Sequence, residues 1–362
     1  MKNSPLHEVH LNLNAKMADF GGWLMPIEYP SGGVLAEHLA VRERVGIFDV
    51  SHLGKASVKG AGALEFLNSA LTNDLNRIED GRAQYTLLCT PEGGVVDDLI
   101  VYRNSPTDFF LIPNASNTSS VVEVLQSHAP SGIVIENLHE GYGVIAVQGP
   151  KAHDVIKSLG VNPQMDYMAF SHVTIAGCDV ILCRTGYTGE HGYELVPRWS
   201  EAQKVWSALV DAMKPFDGVV CGLGARDTLR TEMGYPLHGH ELTLEISPVE
   251  AGASWAVGWK KNEFIGDSVL RSQKENGAQR VVRALASKDK GIPRAGMEVK
   301  SADGKVLGLI TSGTFSPTLK KGIGLALLSP EIVIGNEVHI DVRGRDCLAE
   351  VVALPFVESH VR

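Results

Sequence analysis

Helical periodicity fades from this chain at about residue 276. Beyond that point the apolar residues come in short runs, "RVVRALAS", "VLGLITSG", "GIGLALLS", "EVHIDVR" and "LAEVVALP", separated by Gly, Pro, Asp and Asn. Runs of that length with turn residues between them cannot build helices of ordinary size. They predict an all-β domain over 276–362.

Upstream, both periods occur. Helical spacing covers 34–45, with Gly46 read as the stop, and 62–71. The strand candidates "AQYTLLCT", "VVDDLIVYR" and "DFFLIPN" follow, and "PEGG" joins the first two as a hairpin. "TSSVVEVLQSHA", "KAHDVIKSLG" and "EAQKVWSALVDAMKPF" read as helices. "GIVIEN", "GVIAVQG", "HVTIAG", "DVILCRT" and "GYELVP" read as strands. The order does not alternate strictly as βαβα, which predicts an α+β architecture with antiparallel sheets. A chain of 362 residues makes two or three domains the expectation.

Composition excludes several classes. The net charge of −9 leaves no dominant basic surface, so nucleic acid is not an expected partner. The C-terminal region alone, with 12 Lys and Arg against 9 Asp and Glu, has a balance of +3. Five scattered cysteines without a C-x-x-C argue against a disulfide framework or a zinc ribbon, and suit a reducing compartment. The first residues have no apolar segment of signal-peptide type, and no run approaches the ~18 apolar residues of a membrane helix.

The chemically informative stretch is "PEGGVVDDLIVYR", where Asp97 and Asp98 enter an apolar strand. Strand interiors disfavour Asp, and a carboxylate among Val, Leu and Ile must be solvated, paired or protonated. Alternation puts Asp97 with Leu99 and Val101, and Asp98 with Ile100 and Tyr102. Both faces carry apolar residues, so neither Asp belongs to a plain solvent face. Either the two carboxylates cap the "PEGG" turn, or one stands at a pocket and handles a proton on a ligand nitrogen.

Two further clusters stand out. "RTGYTGEHGYEL" offers Tyr187 and Tyr193 as amphipathic rings, and Glu190 and Glu194 as acceptors for a heterocycle with adjacent N–H groups. An ordinary hairpin is the competing reading. "GLGARDTLRTEM" reads as a loop entering a helix, with Arg226 and Arg230 one turn apart and Arg230 expected in a surface ion-pair set with Glu232. His238 and His240 form an H-x-H without a recognisable third ligand, so no metal is expected. There is no G-x-S-x-G elbow, no phosphate loop and no dinucleotide fingerprint.

The sequence resembles the glycine cleavage T-protein family along nearly its whole length. The resemblance rests on the order and spacing of "PLHEVHLNLNAKMADFGGWLMPIEY", "HLAVRERVGIFDVSHLGK", "LTNDL", "GGVVDDLIVY", "PNASN", "VQGPKA", "RTGYTGEHGYEL", "GLGARDTLR" and "LITSGTFSPTL". It implies a three-domain cloverleaf: residues 1–50 with about 135–275, residues 51–134 between them, and a barrel-like all-β domain over 276–362. It also implies tetrahydrofolate as co-substrate, lipoylated H protein as partner, a monomer, and a cytoplasmic location unless a mitochondrial transit peptide has been removed. Family positions fall on Asp98 as the essential acid and on Tyr187, Glu194 and Arg226 as pterin contacts. Tyr85, Tyr102 and Asn114 match further pocket positions. Leu53 stands where some relatives have Met. Pro113 replaces a frequent Val, and is expected to interrupt sheet hydrogen bonding locally. Related folate-dependent demethylases are usually fused to a flavin domain, for which this chain has no room. The iron–sulfur-associated folate-binding relatives carry a K-G-C-Y-x-G-Q-E-like hallmark that is absent here. A pure binding module would keep Glu194 and Arg226 without needing Asp98.

Overall fold

A computed structural model describes every residue, Met1–Arg362. Its first body is a six-stranded sheet in the order Phe170–Ile175, Cys178–Cys183, Gly192–Pro197, Ile145–Gln148, Gly46–Asp49 and Val219–Cys221. All neighbours are antiparallel except the last pair. The period of two decides what each side chain meets. Ile47, Ile145 and Val147 point to one face, under the helices Ala152–Ser158 and Ala202–Met213. Phe48 and Ala146 point to the other, beside Val41 and Leu229 of the helices Gly33–Glu43 and Leu223–Met233.

The second body is a five-stranded antiparallel sheet in the order Arg82–Cys89, Val95–Ser105, Asp108–Ile112, Ala56–Lys59 and Val134–Asn137. Leu99, Val101, Phe109 and Leu111 pack beneath the helices Ala63–Ala70 and Thr118–His128. Tyr102, Phe110 and Ile112 leave from the opposite face and join the core of the first body. The strand bearing Asp97 and Asp98 is therefore covered on both sides, and its Asp98 face looks across at the other sheet. Leu242, Ala256, Val257, Phe264 and Leu270 pack on Leu87, Cys89 and Val95. By its packing this late segment belongs with the second sheet rather than the first.

The C-terminal strands, from Val281–Ser287 to Arg345–Val352, close into a six-stranded antiparallel barrel around Leu285, Val299, Ile310, Val338, Ile340 and Val351. Together the three bodies make a mixed α+β protein with antiparallel sheets and a terminal barrel.

Several local expectations are corrected. Gly46 does not stop the helix, which ends at Glu43; Gly46 already belongs to the next strand. Its value is space, because a Cβ there would stand 2.5 Å from Val41 Cγ2 and 2.7 Å from Cys221 Sγ. Pro113 costs no ladder bond, since the strand ends at Ile112 and the Pro113 carbonyl accepts from Gly54 N at 2.8 Å. The helix Asp267–Asn276 and the small N-terminal sheet of Lys2–Asn3, Lys16–Phe20 and Trp23–Glu28 were not legible in the residue pattern. All five cysteines are buried and free. No helix is long and apolar enough to cross a membrane.

Candidate active site

A cavity of about 230 Å³ opens between the two α+β bodies. Tyr85, Asp98, Tyr102, Asn114, Tyr187, Glu194 and Arg226 all line it, although the first and last are 141 residues apart. No barrel residue reaches it.

Asp98 arrives on the strand Val95–Ser105 with both carboxylate oxygens occupied. Tyr85 Oη donates to Oδ2 at 3.0 Å, and Asn114 Nδ2 donates to Oδ1 at 2.9 Å. Asp97, on the opposite face, is fully buried. It accepts from Asn114 N at 2.8 Å, Asn114 Nδ2 at 2.9 Å and Asn117 Nδ2 at 2.7 Å. It therefore does not cap the "PEGG" turn. It ties the strand to the segment that starts the helix Thr118–His128, which explains why a second carboxylate stands beside the first. Burial pushes both carboxyls above the usual Asp range. The hydrogen bond from Tyr85 and the nearby His238 work against that push at Asp98. A carboxyl raised from its ordinary range and held by two donors is placed to take up a proton from a ligand in the cavity.

On the facing wall, Glu194 lies on the strand Gly192–Pro197 and accepts from Thr185 Oγ1 at 2.5 Å. Arg226, in the first turn of the helix Leu223–Met233, stacks its guanidinium over the Tyr187 ring at 4.6 Å. Tyr187 Oη donates to the Pro236 carbonyl, which fixes the ring beneath that cation. The loop carrying Tyr187 needs its glycines for room. At Gly189, with φ +82°, a Cβ would come within 2.0 Å of Met233 Sδ. Tyr102 packs edge-on to Phe170 at 5.4 Å, and its hydroxyl lies 3.5 Å from Thr185 Oγ1.

Other candidates separate from the site. Glu190 faces away and pairs with Arg42 at 2.8 Å and His360 at 3.1 Å. Tyr193 is a core residue whose hydroxyl donates to the Pro163 carbonyl at 3.0 Å. Arg230 does line the cavity, but it pairs with Asp227 at 2.7 Å and Glu241 at 3.3 Å rather than with Glu232. Glu232 instead meets Arg42 at 2.8 Å and His38 at 3.3 Å. His238 and His240 do not converge: one donates to the Val95 carbonyl at 3.1 Å and the other to the Thr311 carbonyl at 2.7 Å.

Residue patterns missed several wall residues. Trp255 stacks on Tyr85 with centroids 5.1 Å apart and remains 64% exposed, so one indole face is open at the cavity mouth. Phe20, His52, Leu53 and Tyr235 also line the cavity. They come from loops and strand ends without periodicity, and only the apolar character of Phe20 and Trp255 hinted at them.

The GCVT N-terminal domain matches residues 6–261, and the glycine cleavage T-protein C-terminal barrel domain matches residues 280–358. The aminomethyltransferase of Parafrankia sp. is 54% identical over 362 residues, covering 100% of this chain and 99% of the relative. That of Mycobacterium tuberculosis is 53% identical, covering 99% and 98%. The crystal structure of glycine cleavage system aminomethyltransferase T from Bartonella henselae matches at a TM-score of 0.93 and 32% identity, with 99% of each chain covered. On sequence, architecture and length alike, this chain belongs to the glycine cleavage T-protein family of aminomethyltransferases.

Proposed function

We propose that the cavity binds tetrahydrofolate and that the protein transfers the methylene carbon of an aminomethyl-lipoyl group, carried by H protein, to that folate. The carbon loses its bonds to the ammonia nitrogen and the lipoyl sulfur and gains bonds to N5 and N10. The products are 5,10-methylenetetrahydrofolate, ammonia and dihydrolipoyl H protein. The observation that carries this reading is the convergence of Asp98, held by Tyr85 and Asn114, with Glu194 and Arg226 in one cavity.

In this reading Glu194 accepts from the amino and ring N–H edge of the pterin, the work of a carboxylate against adjacent donors. Asp98 faces the nitrogens that take up the carbon. There a fixed carboxylate can orient the folate amine, accept its proton or stabilise cationic character at the transferred carbon. Tyr85 and Trp255 give the ligand an aromatic wall. The protein works as a monomer in the cytoplasm, and its macromolecular partner is H protein.

The test is ammonia release from aminomethyl-loaded H protein, with and without tetrahydrofolate. Release that depends on folate and is accompanied by methylenetetrahydrofolate is expected. Folate-independent release at the same rate would reject the reading.

A further inference from the structure

His52 sits in the crossover between the strands Gly46–Asp49 and Ala56–Lys59, where the chain passes from one sheet to the other. Its ring is 2% exposed and forms part of the cavity wall. Phe20 packs edge-on against it at 5.2 Å. Nδ1 is sealed from solvent without any hydrogen-bond partner, and Nε2 also lacks a protein partner. A buried polar atom without a partner calls for an explanation. A histidine serving only as packing would normally have its nitrogens satisfied.

The backbone around the ring is firmly tied. Lys55 Nζ donates to the Ser51 carbonyl at 2.9 Å and to the Leu53 carbonyl at 2.7 Å. His139 Nε2 donates to the His52 carbonyl between them at 2.8 Å. Three successive carbonyls are thus held from behind, and the imidazole is the one group of this turn left free to engage something in the cavity. Burial, with help from Arg226, pushes the imidazole down to about 3, so it is neutral at physiological pH. A neutral ring carries one N–H. With Nδ1 sealed and lacking an acceptor, the proton belongs on Nε2, where a ligand can accept it.

The second donor is Arg226, whose guanidinium rests on Tyr187 and enters no ion pair in the protein. The cavity is therefore divided. Asp98 and Glu194 supply acceptors, and Arg226 and His52 supply donors. Resting on the folate reading above, we propose that His52 is a ligand-contacting residue whose Nε2–H, together with Arg226, receives an oxygen acceptor of the bound folate. Such acceptors lie at two ends of the ligand: the pterin carbonyl at one, and the benzoyl amide carbonyl and glutamyl carboxylates of the tail at the other.

The experiment measures dissociation constants for tetrahydrofolate and for 6-methyltetrahydropterin, which lacks the whole p-aminobenzoylglutamate tail, on wild type, His52→Gln and His52→Leu. The Leu variant should lose about tenfold or more in tetrahydrofolate affinity, while Gln, whose amide reaches the Nε2 position, should stay within about threefold. Loss with both ligands assigns the acceptor to the pterin carbonyl; loss with tetrahydrofolate alone assigns it to an oxygen of the benzoylglutamate tail. Leu binding like wild type overturns the proposal. A wild type that binds no tetrahydrofolate would sink the folate reading instead. Nitrogen-15 spectra of the histidines then still decide the ring's state: a neutral Nε2–H tautomer persisting to about pH 5 is expected, and an Nδ1–H tautomer or a ring protonated at about pH 6 overturns it.

Discussion

Tyr85 and Asp98 stand diagonally across neighbouring strands, Tyr85 opposite Ile100 and Asp98 opposite Leu87, with the tyrosine hydroxyl donating to the carboxylate at 3.0 Å. Burial, reinforced by Asp98, holds the Tyr85 phenol well above its ordinary pKa, so it stays a donor. The carboxylate is oriented by this hydroxyl on one oxygen and by the Asn114 amide on the other. Asp98→Asn keeps the shape but cannot take up a proton to become neutral. It should fold and bind tetrahydrofolate within several-fold of wild type, yet lose about 10²–10⁴ in turnover. Equal turnover in the variant and wild type would reject the acid-centred mechanism.

Asp97→Asn tests the other half of the pair. Asp97 offers only acceptors, and three donors from Asn114 and Asn117 converge on it. An Asn there sets an amide N–H₂ against at least one of those donors. The expected cost is about 1–3 kcal/mol of stability, read from urea unfolding, with turnover much less affected than in Asp98→Asn. If Asp97→Asn is as stable as wild type but inactive, the roles of the two residues are reversed.

The division of labour between these neighbours was half legible in the residues. Strand alternation separated Asp98 with Tyr102 from Asp97 with Val101, and the structure keeps that separation. What Asp97 bonds to was not legible. Asn114 and Asn117 lie 17 and 20 residues away and arrive through the fold of an adjacent strand and its exit. Regular periodicity also announced five of the six barrel strands, all but Glu298–Lys300, and the main helices, because apolar spacing is a local signal. Trp255, His52 and the partners of Glu232 sit on non-periodic segments or depend on how the bodies meet, so no local pattern encodes them. Gly46 was misread for a related reason: a glycine after a helix signals a stop, whereas here contact with Val41 and Cys221 requires it.

Glu194 gives a separable test of binding. It is buried, with Thr185 on one oxygen, and faces the cavity. Glu194→Ala removes a charged acceptor, and tetrahydrofolate affinity should fall by about 1.5–3 kcal/mol, with unfolding still cooperative. Titration with tetrahydrofolate, followed by the rise in melting temperature at saturating ligand, reads this directly. Unchanged affinity would assign Glu194 to holding the Thr185 loop and not the ligand.

Glu232 predicts how acid weakens the joint between the barrel and the rest of the protein. It is fully buried on the helix Leu223–Met233 and accepts from Ser316 and Thr318 of the barrel, while the Arg42 guanidinium pairs with it at 2.8 Å and the His38 ring lies 3.3 Å away. Burial alone would raise its pKa, but the His38, Ser316 and Arg42 contacts win and hold the carboxyl down from 4.5 to about 2. A carboxyl depressed in the folded state contributes stability above its unfolded pKa, and that contribution fades as pH falls through the folded value. The loss attributable to Glu232 therefore falls between about pH 4.5 and about pH 2. Glu232→Gln should cost about 3 kcal/mol at neutral pH, because Arg42 loses a buried counter-charge. Below pH 4.5 the gap between variant and wild type should narrow, since protonation makes the wild-type side chain neutral as well. Urea midpoints for the two proteins across that range give the difference, in which the other carboxylates cancel. A gap that stays constant from pH 7 to pH 2 would show that the charge of Glu232 is not what secures the barrel.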